Sequence, residues 1–361
     1  MKKLIKKTTL LVITLLFAVT LISCGKNDEE KTVEEKPVEI VYDIHTDVQN
    51  NYLSDTYDSI WRYGKGTEEL SKPLPITIKW DLPQTNFYEF HLSESSDFTV
   101  QYILETNTNE ISVYNLKINT PYYWYLSYEE NGVVTQTNVE TFTITSKTPR
   151  NLSIDGVTNA RDLGGYVGKD GKTTKQGMII RCSKFNDDES TELLITEDGI
   201  REMLEVLNVK TELDIRKSDE NGGITESPLG PTVTYYSIPM QSSGNKILLN
   251  KDVFKDVFAV FGNEDNYPIV VHCSIGTDRT GLICFFINAL LGVSEEDLYR
   301  YYWFSNFANL GKRRTTADID GYFEEIKSAQ GATLAEKTYN YLVSLGVNSA
   351  DLDTIIRVML G

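Results

Sequence analysis

Residues 267–281 read Tyr-Pro-Ile-Val-Val-His-Cys-Ser-Ile-Gly-Thr-Asp-Arg-Thr-Gly. The apolar run Ile269–Val271 predicts a buried strand that ends at His272. The residues that follow the loop, Leu282–Ile287, are apolar on nearly all sides, which predicts a helix buried at the centre of a domain. The residues between the two elements, 273–279, therefore form a tight loop at a helix N-terminus.

This loop has the properties of an anion cradle. Backbone N–H groups converge at a helix N-terminus, and the helix dipole adds positive potential there. Gly276 lets the chain turn closely, and Arg279 offers a planar fork for two phosphoryl oxygens. In this field the pKa of the Cys273 thiol is expected to fall well below about 8.5. A thiolate under a bound phosphate is placed for in-line attack, so the loop predicts metal-free phosphoryl transfer through a phosphocysteine.

The pattern H-C-x5-R-T-G at residues 272–281 resembles the signature loop of protein tyrosine phosphatases, and its surroundings resemble the bacterial tyrosine and serine/threonine phosphatase family. Further segments match that family in order and spacing: Asn159–Tyr166, Gly177–Ser183, Leu213–Arg216 with Glu220 just after, and Tyr301–Asn306. The resemblance spans about residues 150–361. It implies an α/β cysteine-phosphatase domain over residues 147–361, with a central sheet flanked by helices and no cofactor or metal.

The resemblance also assigns roles. Cys273 is the expected nucleophile, Arg279 the phosphate clamp, and Thr280 a hydroxyl that eases departure of the thiolate. The phosphate-binding set is expected to comprise Ser274, Ile275, Gly276, Thr277, Asp278 and Arg279.

Protonation of the leaving group requires a general acid, and the chain has no Trp-Pro-Asp motif. Asp278 is the favoured candidate because it lies inside the loop, where a bound anion should raise its pKa. It could instead rigidify the loop by accepting backbone N–H groups. Asp214 is the second candidate, although it and Arg216 could simply form a structural pair. Asp162 with Arg161 is predicted to be a structural buttress.

Thr277 occupies a position that is usually lysine in the family. A mouth without that charge predicts a preference for monophosphate esters over polyphosphorylated inositides. The basic cluster Lys312–Arg314 either folds over the mouth and supplies the charge or is a solvated helix end.

Two further cysteines lie in this domain. Cys284 falls in the predicted buried helix and is expected to be inert core. Cys182 is either a small buried residue or the partner of Cys273 in a protective disulfide.

The N-terminus is predicted to be an export signal. A basic start leads into the uncharged apolar run Thr8–Ile22, and the segment closes with Leu-Ile-Ser-Cys. This pattern is typical of a bacterial lipoprotein signal peptide over residues 1–23, with Cys24 as the lipidated residue. The alternative is an uncleaved anchor helix, and both place the body outside the cytoplasmic membrane. Residues 24–72 are predicted to be a tether and linker, part of which docks on a neighbouring domain.

Residues 73–146 alternate apolar and polar side chains with the period of a strand, and Asn131-Gly132 predicts a hairpin turn. Short strands without a helical stretch predict a small β-sandwich, so the chain is multidomain. The segments Leu116–Trp124 and Glu140–Thr143 resemble fibronectin type III domains.

The chain is acidic, with 52 Asp and Glu against 35 Lys and Arg and a net charge of −17. Such a surface repels nucleic acid, so an anionic ligand needs a local positive site. The predicted function is that of a membrane-anchored, extracytoplasmic phosphatase whose partners are phosphorylated proteins, on tyrosine or on serine and threonine, or small phosphate esters. The alternatives are a phosphoinositide or inositol-polyphosphate phosphatase, a rhodanese-like sulfurtransferase and a non-catalytic surface binding protein.

Overall fold

The computed structural model describes residues 40–56, 60–82, 87–242 and 246–361. The predicted signal peptide, Cys24 and the charged segment that follows it lie outside these residues. Within the described ranges, no helix combines the length and apolar character that crossing a membrane requires.

The described strands, in chain order, are β1 (Val41–Tyr42), β2 (Ile76–Lys79), β3 (Tyr88–Ser93), β4 (Tyr102–Thr106), β5 (Glu110–Val113), β6 (Thr120–Glu130), β7 (Val133–Gln136), β8 (Glu140–Ile144), β9 (Arg161–Asp162), β10 (Ile179–Cys182), β11 (Thr211–Asp214), β12 (Thr234–Ser237) and β13 (Ile269–His272). The described helices are α1 (Asp47–Ser54), α2 (Glu197–Arg201), α3 (Lys246–Phe261), α4 (Arg279–Leu290), α5 (Glu295–Trp303), α6 (Asp320–Lys327), α7 (Leu334–Ser344) and α8 (Ser349–Leu360).

The chain divides into two compact units, and unit 1 comprises residues 40–42, 78–111 and 119–144 of the described ranges. Its sheet has the order β1-β8-β6-β3-β4, with β7 also paired to β6. β1 runs parallel to β8, and the other pairs are antiparallel. Asn131 and Gly132 join β6 to β7 with φ of 52° and 80°, which confirms the hairpin turn. β2 pairs separately with β5. The predicted strands are present, while their sandwich arrangement and the likeness to fibronectin type III stay predictions.

Unit 2 comprises residues 43–77, 112–118 and 145–361. The sequence predicted a tether and linker over residues 24–72, part of which docks on a neighbouring domain, and residues 43–77 belong to this unit. Tyr52 of α1 is buried, its hydroxyl donates to the Arg300 carbonyl at 2.5 Å, and its ring lies edge-on to Phe307. Ile60 is buried as well. This segment therefore packs inside unit 2, because burial of its aromatic and apolar side chains stabilises it there.

The central sheet of unit 2 has the order β12-β11-β13-β10-β9. Its first four strands are parallel, and β9 runs antiparallel to β10. The register sets Asp214 at the end of β11 and Cys182 at the end of β10 beside His272 of β13. The loop after β13 thus leaves the carboxyl edge of the parallel strands, where ligands of α/β proteins usually bind.

The helix that follows this loop lies in the core. All twelve residues of α4 are buried, as its apolar sequence predicted, and the α/β class with a central sheet is confirmed. A short helical segment precedes β11. Helix α2 begins at Glu197 because the Thr196 side chain accepts from the Gly199 amide and caps it. A π-helical turn at Glu202–Val206 completes the segment.

Candidate active site

Cys273 follows β13 directly and opens the loop, where it is 2 % exposed. Gly276 has a φ of +67°, and a Cβ there would lie 2.2 Å from the Cys182 carbonyl oxygen. The loop therefore packs against the end of β10 so closely that only glycine fits. This contact fixes the height of the loop above the sheet.

Residues outside the loop donate hydrogen bonds to two of its backbone carbonyls. The Ser274 oxygen accepts from the Lys184 amide at 3.3 Å, and the Ile275 oxygen accepts from Asn159 Nδ2 at 3.1 Å. In a trans peptide the C=O and the following N–H point in opposite directions. The N–H groups of Ile275 and Gly276 therefore point away from these supports. Within the described ranges, no amide from Ser274 to Asp278 donates to an acceptor, so the loop presents a row of free donors.

A buried polar network supports the loop from behind. Asn159 Nδ2 also donates to Thr277 Oγ1 at 2.9 Å, and Arg161 Nη1 donates to Asn159 Oδ1 at 2.5 Å. Arg161 Nη2 in turn donates to Ser305 Oγ at 3.0 Å, and its guanidinium lies 4.9 Å from the centre of the Tyr301 ring. The Asn159 and Tyr301–Asn306 motifs are thereby connected to the loop. Of these contacts, the sequence predicted only that Arg161 has a structural role.

Thr277 is completely buried in that network. The prediction that its side chain borders the mouth is wrong, because its hydroxyl faces Asn159 in the interior. Position 277 therefore gives no reason to expect a preference against polyphosphorylated substrates.

Asp162 has a structural role, as the sequence predicted, but its partner is Arg150 and not Arg161. It accepts from Arg150 Nη1 at 2.7 Å and from the amides of Gly164 at 2.8 Å and Gly177 at 2.5 Å. Asp162 is fully buried, so these three donors stabilise a carboxylate that would otherwise be costly there.

Arg279, the first residue of α4, reaches across the loop. Its Nη2 donates to Ser274 Oγ at 3.2 Å, and its Nη1 donates to Glu220 Oε2 at 2.6 Å. Burial would raise the pKa of Glu220, but hydrogen bonds from Lys217 and Arg279 outweigh it and lower the pKa below its usual value. Glu220 is therefore a carboxylate that orients the guanidinium, a role that the sequence did not predict.

Asp278 closes the loop, and in the chain without a bound anion its pKa is lowered; the rise predicted for the anion-bound state stays a prediction. Arg314 Nη2 donates to Asp278 Oδ2 at 2.7 Å, and Lys246 Nζ donates to Oδ1 at 3.1 Å. Burial alone would raise the pKa of Asp278, but the hydrogen bond from Arg314 and the charge of Lys246 outweigh it and lower the pKa. The sequence left open whether the Lys312–Arg314 cluster is a solvated helix end. Arg314 is only 4 % exposed, so that interpretation is wrong for this residue. Lys246 lies outside the sequence motifs of the family, so its contact with Asp278 could not be predicted from them.

Asp214 lies deeper, at the end of β11, with its side chain 1 % exposed. It accepts from Arg216 Nη2 at 2.7 Å and from the Tyr235 hydroxyl at 3.1 Å. Burial would raise the pKa of Asp214, but His272 and Arg216 outweigh it and hold the pKa below its usual value. The structural pair between Asp214 and Arg216 is confirmed.

His272, Glu212 and Asp214 form a buried cluster whose potential ligand atoms lie within 4.8 Å of one another. His272 Nε2 lies 2.9 Å from Glu212 Oε1, and the Ser227 hydroxyl donates to Glu212 Oε2 at 2.5 Å. Arg216 satisfies Asp214, so protein groups already compensate both carboxylates. The cluster thus orients His272 directly before the Cys273 loop.

The sequence also singled out the thiols of Cys182 and Cys284 and the hydroxyl of Thr280, and all three are buried. Burial raises the pKa of Cys284 to about 11, and it raises that of Cys182 well above its usual value. Cys284 is inert core as predicted. Cys182 and Cys273 are free thiols here, so a redox role of Cys182 stays a prediction. Thr280 Oγ1 is buried and has no hydrogen-bond partner within the described ranges, so its predicted bond to the nucleophile is not formed.

This geometry agrees with comparisons to known proteins. Residues 152–358, more than half of the chain, match the tyrosine phosphatase family. The chain therefore belongs to that family.

A Cupriavidus necator protein that carries the name "Putative tyrosine-protein phosphatase" is 26 % identical over an alignment of 183 residues, and the match covers 44 % of this chain. The match spans only 64 % of that protein's length.

Similar solved structures include the catalytic core of the PP-IP phosphatase Siw14 from S. cerevisiae, at 19 % identity and a TM-score of 0.29 over 44 % of this chain and 83 % of that chain. They also include the tyrosine phosphatase OH1 from the Orf virus, at 15 % identity and a TM-score of 0.22 over 47 % of this chain and 83 % of that chain. At these TM-scores neither structure adds to the family assignment.

Proposed function

We propose that this chain hydrolyses phosphate monoesters, phosphotyrosine in proteins among them, through a phosphocysteine intermediate. One observation carries the proposal: a row of free backbone amides in a loop that begins with Cys273 and ends at Arg279. Such donors match the three non-bridging oxygens of a phosphoryl group, and they stabilise the charge that develops on these oxygens during transfer.

The reaction needs two steps. In the first, the Cys273 sulfur forms a bond to phosphorus, the bond from phosphorus to the ester oxygen breaks, and Asp278 gives its proton to that oxygen. In the second, Asp278 accepts a proton from water, the water oxygen bonds to phosphorus, and the sulfur leaves as a thiolate. Arg279 holds two phosphoryl oxygens in both steps.

Asp278 is a better general acid than Asp214 on grounds of access. The Asp278 side chain is 22 % exposed beside the cradle, whereas that of Asp214 is 1 % exposed and tied to Arg216. A bound phosphate dianion would raise the pKa of Asp278 again, because like charge disfavours its ionised form.

A second candidate substrate class is that of phosphoinositides or inositol polyphosphates. Lys246 and Arg314 favour it, because both cations lie within hydrogen-bond distance of Asp278 at the end of the cradle. Turnover of a phosphotyrosine peptide and of a soluble phosphoinositide by the same preparation, expressed as kcat/KM, decides between the two classes.

The deciding experiment for the reaction is hydrolysis of p-nitrophenyl phosphate by the full chain in detergent, without added metal. Cys273→Ser should remove turnover but still bind vanadate, since the amide donors remain. Cys284→Ala is the matched control and should keep turnover. Acid-quenched native protein should carry phosphate on Cys273 by mass spectrometry. Turnover by Cys273→Ser would refute the covalent mechanism, and thiosulfate cleavage would favour a sulfurtransferase.

The anchoring and the role of residues 73–146 are proposed on the sequence. Cys24 carries lipid and holds the phosphatase on the outer face of the cytoplasmic membrane, with a fibronectin type III-like domain before the phosphatase domain. The support is the apolar run that ends in Leu-Ile-Ser-Cys and the strand-rich segment 73–146. Incorporation of labelled palmitate into the native chain, but not into Cys24→Ala, tests the anchor.

A further inference from the structure

Asp278 is held by cations from two elements that are remote in sequence. Arg314 binds it with two nitrogens, Nη2 to Oδ2 at 2.7 Å and Nε to Oδ1 at 3.1 Å. Lys246, the first residue of α3, adds a third bond to Oδ1 at 3.1 Å. Bidentate guanidinium–carboxylate pairs fix the orientation of the carboxyl plane as well as its charge.

Arg314 is itself fixed in place. Asn306 Oδ1 accepts from the Arg314 amide at 2.7 Å, and Asn306 Nδ2 donates to the Arg314 carbonyl at 2.9 Å. Arg314 Nη1 also donates to the Lys312 carbonyl at 3.2 Å. Asn306 thus holds both backbone polar groups of the residue whose side chain holds Asp278. This gives a function to the last residue of the Tyr301–Asn306 motif, to which no role had been assigned.

We infer that Arg314, assisted by Lys246, is a positioning residue that aims the Asp278 carboxyl at the leaving oxygen and controls the pH range in which it carries its proton. The inference rests on the proposed function and on Asp278 as its general acid. Arg314 acts through Asp278 and donates no proton itself.

The charged and titratable groups around Asp278 come from several elements. Besides Arg314 and Lys246, they are Tyr302 of α5 and Tyr322 of α6, with Arg279 next in the chain. The two tyrosines are neutral at ordinary pH, because burial raises the pKa of each far above its usual value. The nearby cations therefore dominate and lower the pKa of Asp278 despite its burial.

The direction of the pH effect follows. Asp278 must be protonated to act, so kcat/KM for a poor leaving group falls as the pH rises through the pKa of the free enzyme. Removal of Arg314 removes an influence that lowers this pKa. The falling limb should then move to higher pH, while loss of orientation lowers the plateau.

The test compares pH profiles of kcat/KM for phenyl phosphate, a poor leaving group, and p-nitrophenyl phosphate, a good one. Arg314→Gln in the full chain should shift the falling limb for phenyl phosphate upward by about one pH unit. It should lower the plateau for phenyl phosphate at least tenfold more than that for p-nitrophenyl phosphate, since general-acid catalysis contributes about 10²–10⁴-fold. Lys246→Met should act in the same direction but less, and the exposed neighbour Lys312→Gln should match the native chain.

An unmoved limb with equal losses on both substrates would overturn the inference and leave Arg314 a structural role. Arg314→Lys is a control against misfolding. It keeps the positive charge but not the bidentate geometry, so the plateau of kcat/KM for phenyl phosphate should fall while its falling limb stays near the pH of the native chain. In an Asp278→Asn background, Arg314→Gln should not change the ratio of the two substrates further, and an additional change would also overturn the inference.

The inference can fail separately from the proposed function. The Asp278 carboxyl carbon can be followed by NMR in chains with ¹³C-labelled aspartate, and its resonance is assigned by its loss in Asp278→Asn. Its titration should move upward in Arg314→Gln whether or not the chain hydrolyses phosphate. An unchanged titration refutes the inference, whereas a native chain without turnover that depends on Cys273 refutes the proposed function.

Discussion

Replacing Asn159 with alanine should weaken both the fold and the loop. The change removes the bonds to the Ile275 carbonyl and to Thr277 Oγ1, and it takes away the acceptor of Arg161 Nη1. At about 1 kcal/mol for each bond, the free energy of unfolding should fall by about 3 kcal/mol. For a unit of this size that corresponds to a decrease in melting temperature of roughly 6–12 °C.

The same substitution should slow catalysis. Without its bond to Asn159, the Ile275 carbonyl keeps only a long bond from Thr277 Oγ1, at 3.4 Å, within the described ranges. The peptide between Ile275 and Gly276 is then less firmly held, and the Gly276 N–H no longer points steadily at the phosphoryl oxygens. Loss of one such donor costs about 10²–10³-fold in kcat. Since the donor is loosened and not removed, we expect kcat/KM for p-nitrophenyl phosphate to fall about tenfold to a hundredfold.

Two further variants calibrate the measurement. Thr277→Val removes one of the three bonds together with the long bond from Thr277 Oγ1 to the Ile275 carbonyl. It should cost about 1 kcal/mol, with a correspondingly smaller decrease in melting temperature. Asn340→Ala removes an exposed hydrogen bond to the Gln330 carbonyl and should stay within about 0.5 kcal/mol of the native chain. Calorimetric melting of the full chains measures both. If Asn159→Ala melts like Asn340→Ala, or keeps native kcat/KM, the loop does not depend on this support.

Three other perturbations have defined outcomes. Gly276→Ala, which strains a left-handed residue and meets the neighbouring strand, should lower kcat/KM at least a hundredfold, and native kinetics would contradict the close approach. Arg279→Lys should lower kcat/KM by a similar factor in steady-state assays, because an ammonium cannot replace a bidentate fork. Despite burial, His272 and Arg216 keep the pKa of Asp214 low, so its stabilising effect is present above about pH 4 and lost as the pH falls through the lowered pKa. The difference in melting temperature between the native chain and Asp214→Asn should therefore shrink below about pH 4; a constant difference would count against this.

The sequence predicted what depends on local patterns. The strand Ile269–His272, the loop and the buried helix α4 follow from an apolar run, a glycine and an all-round apolar helix, and the structure has them where they were expected. The hairpin at Asn131-Gly132 is local in the same sense.

What the sequence did not predict depends on distant contacts. Arg314 and Lys246 meet Asp278 across 36 and 32 residues, and neither lies in a periodic pattern that indicates which way its side chain points. The inward orientation of Thr277 depends on Asn159, 118 residues earlier. The lowered pKa of Asp278 in the chain without a bound anion was missed for this reason: the anion site could be predicted from the sequence, but the cationic partners of Asp278 could not.

The distance along the chain between the loop and its supports also has a consequence during synthesis. Asn159 and Lys184 precede the loop, whereas Asn306 and Arg314 follow it. A growing polypeptide that ends soon after α4 would contain the nucleophile but lack the residues that complete its surroundings. Products of premature termination before residue 314 should therefore be inert, and phosphatase activity should arise only when nearly the whole chain has left the ribosome.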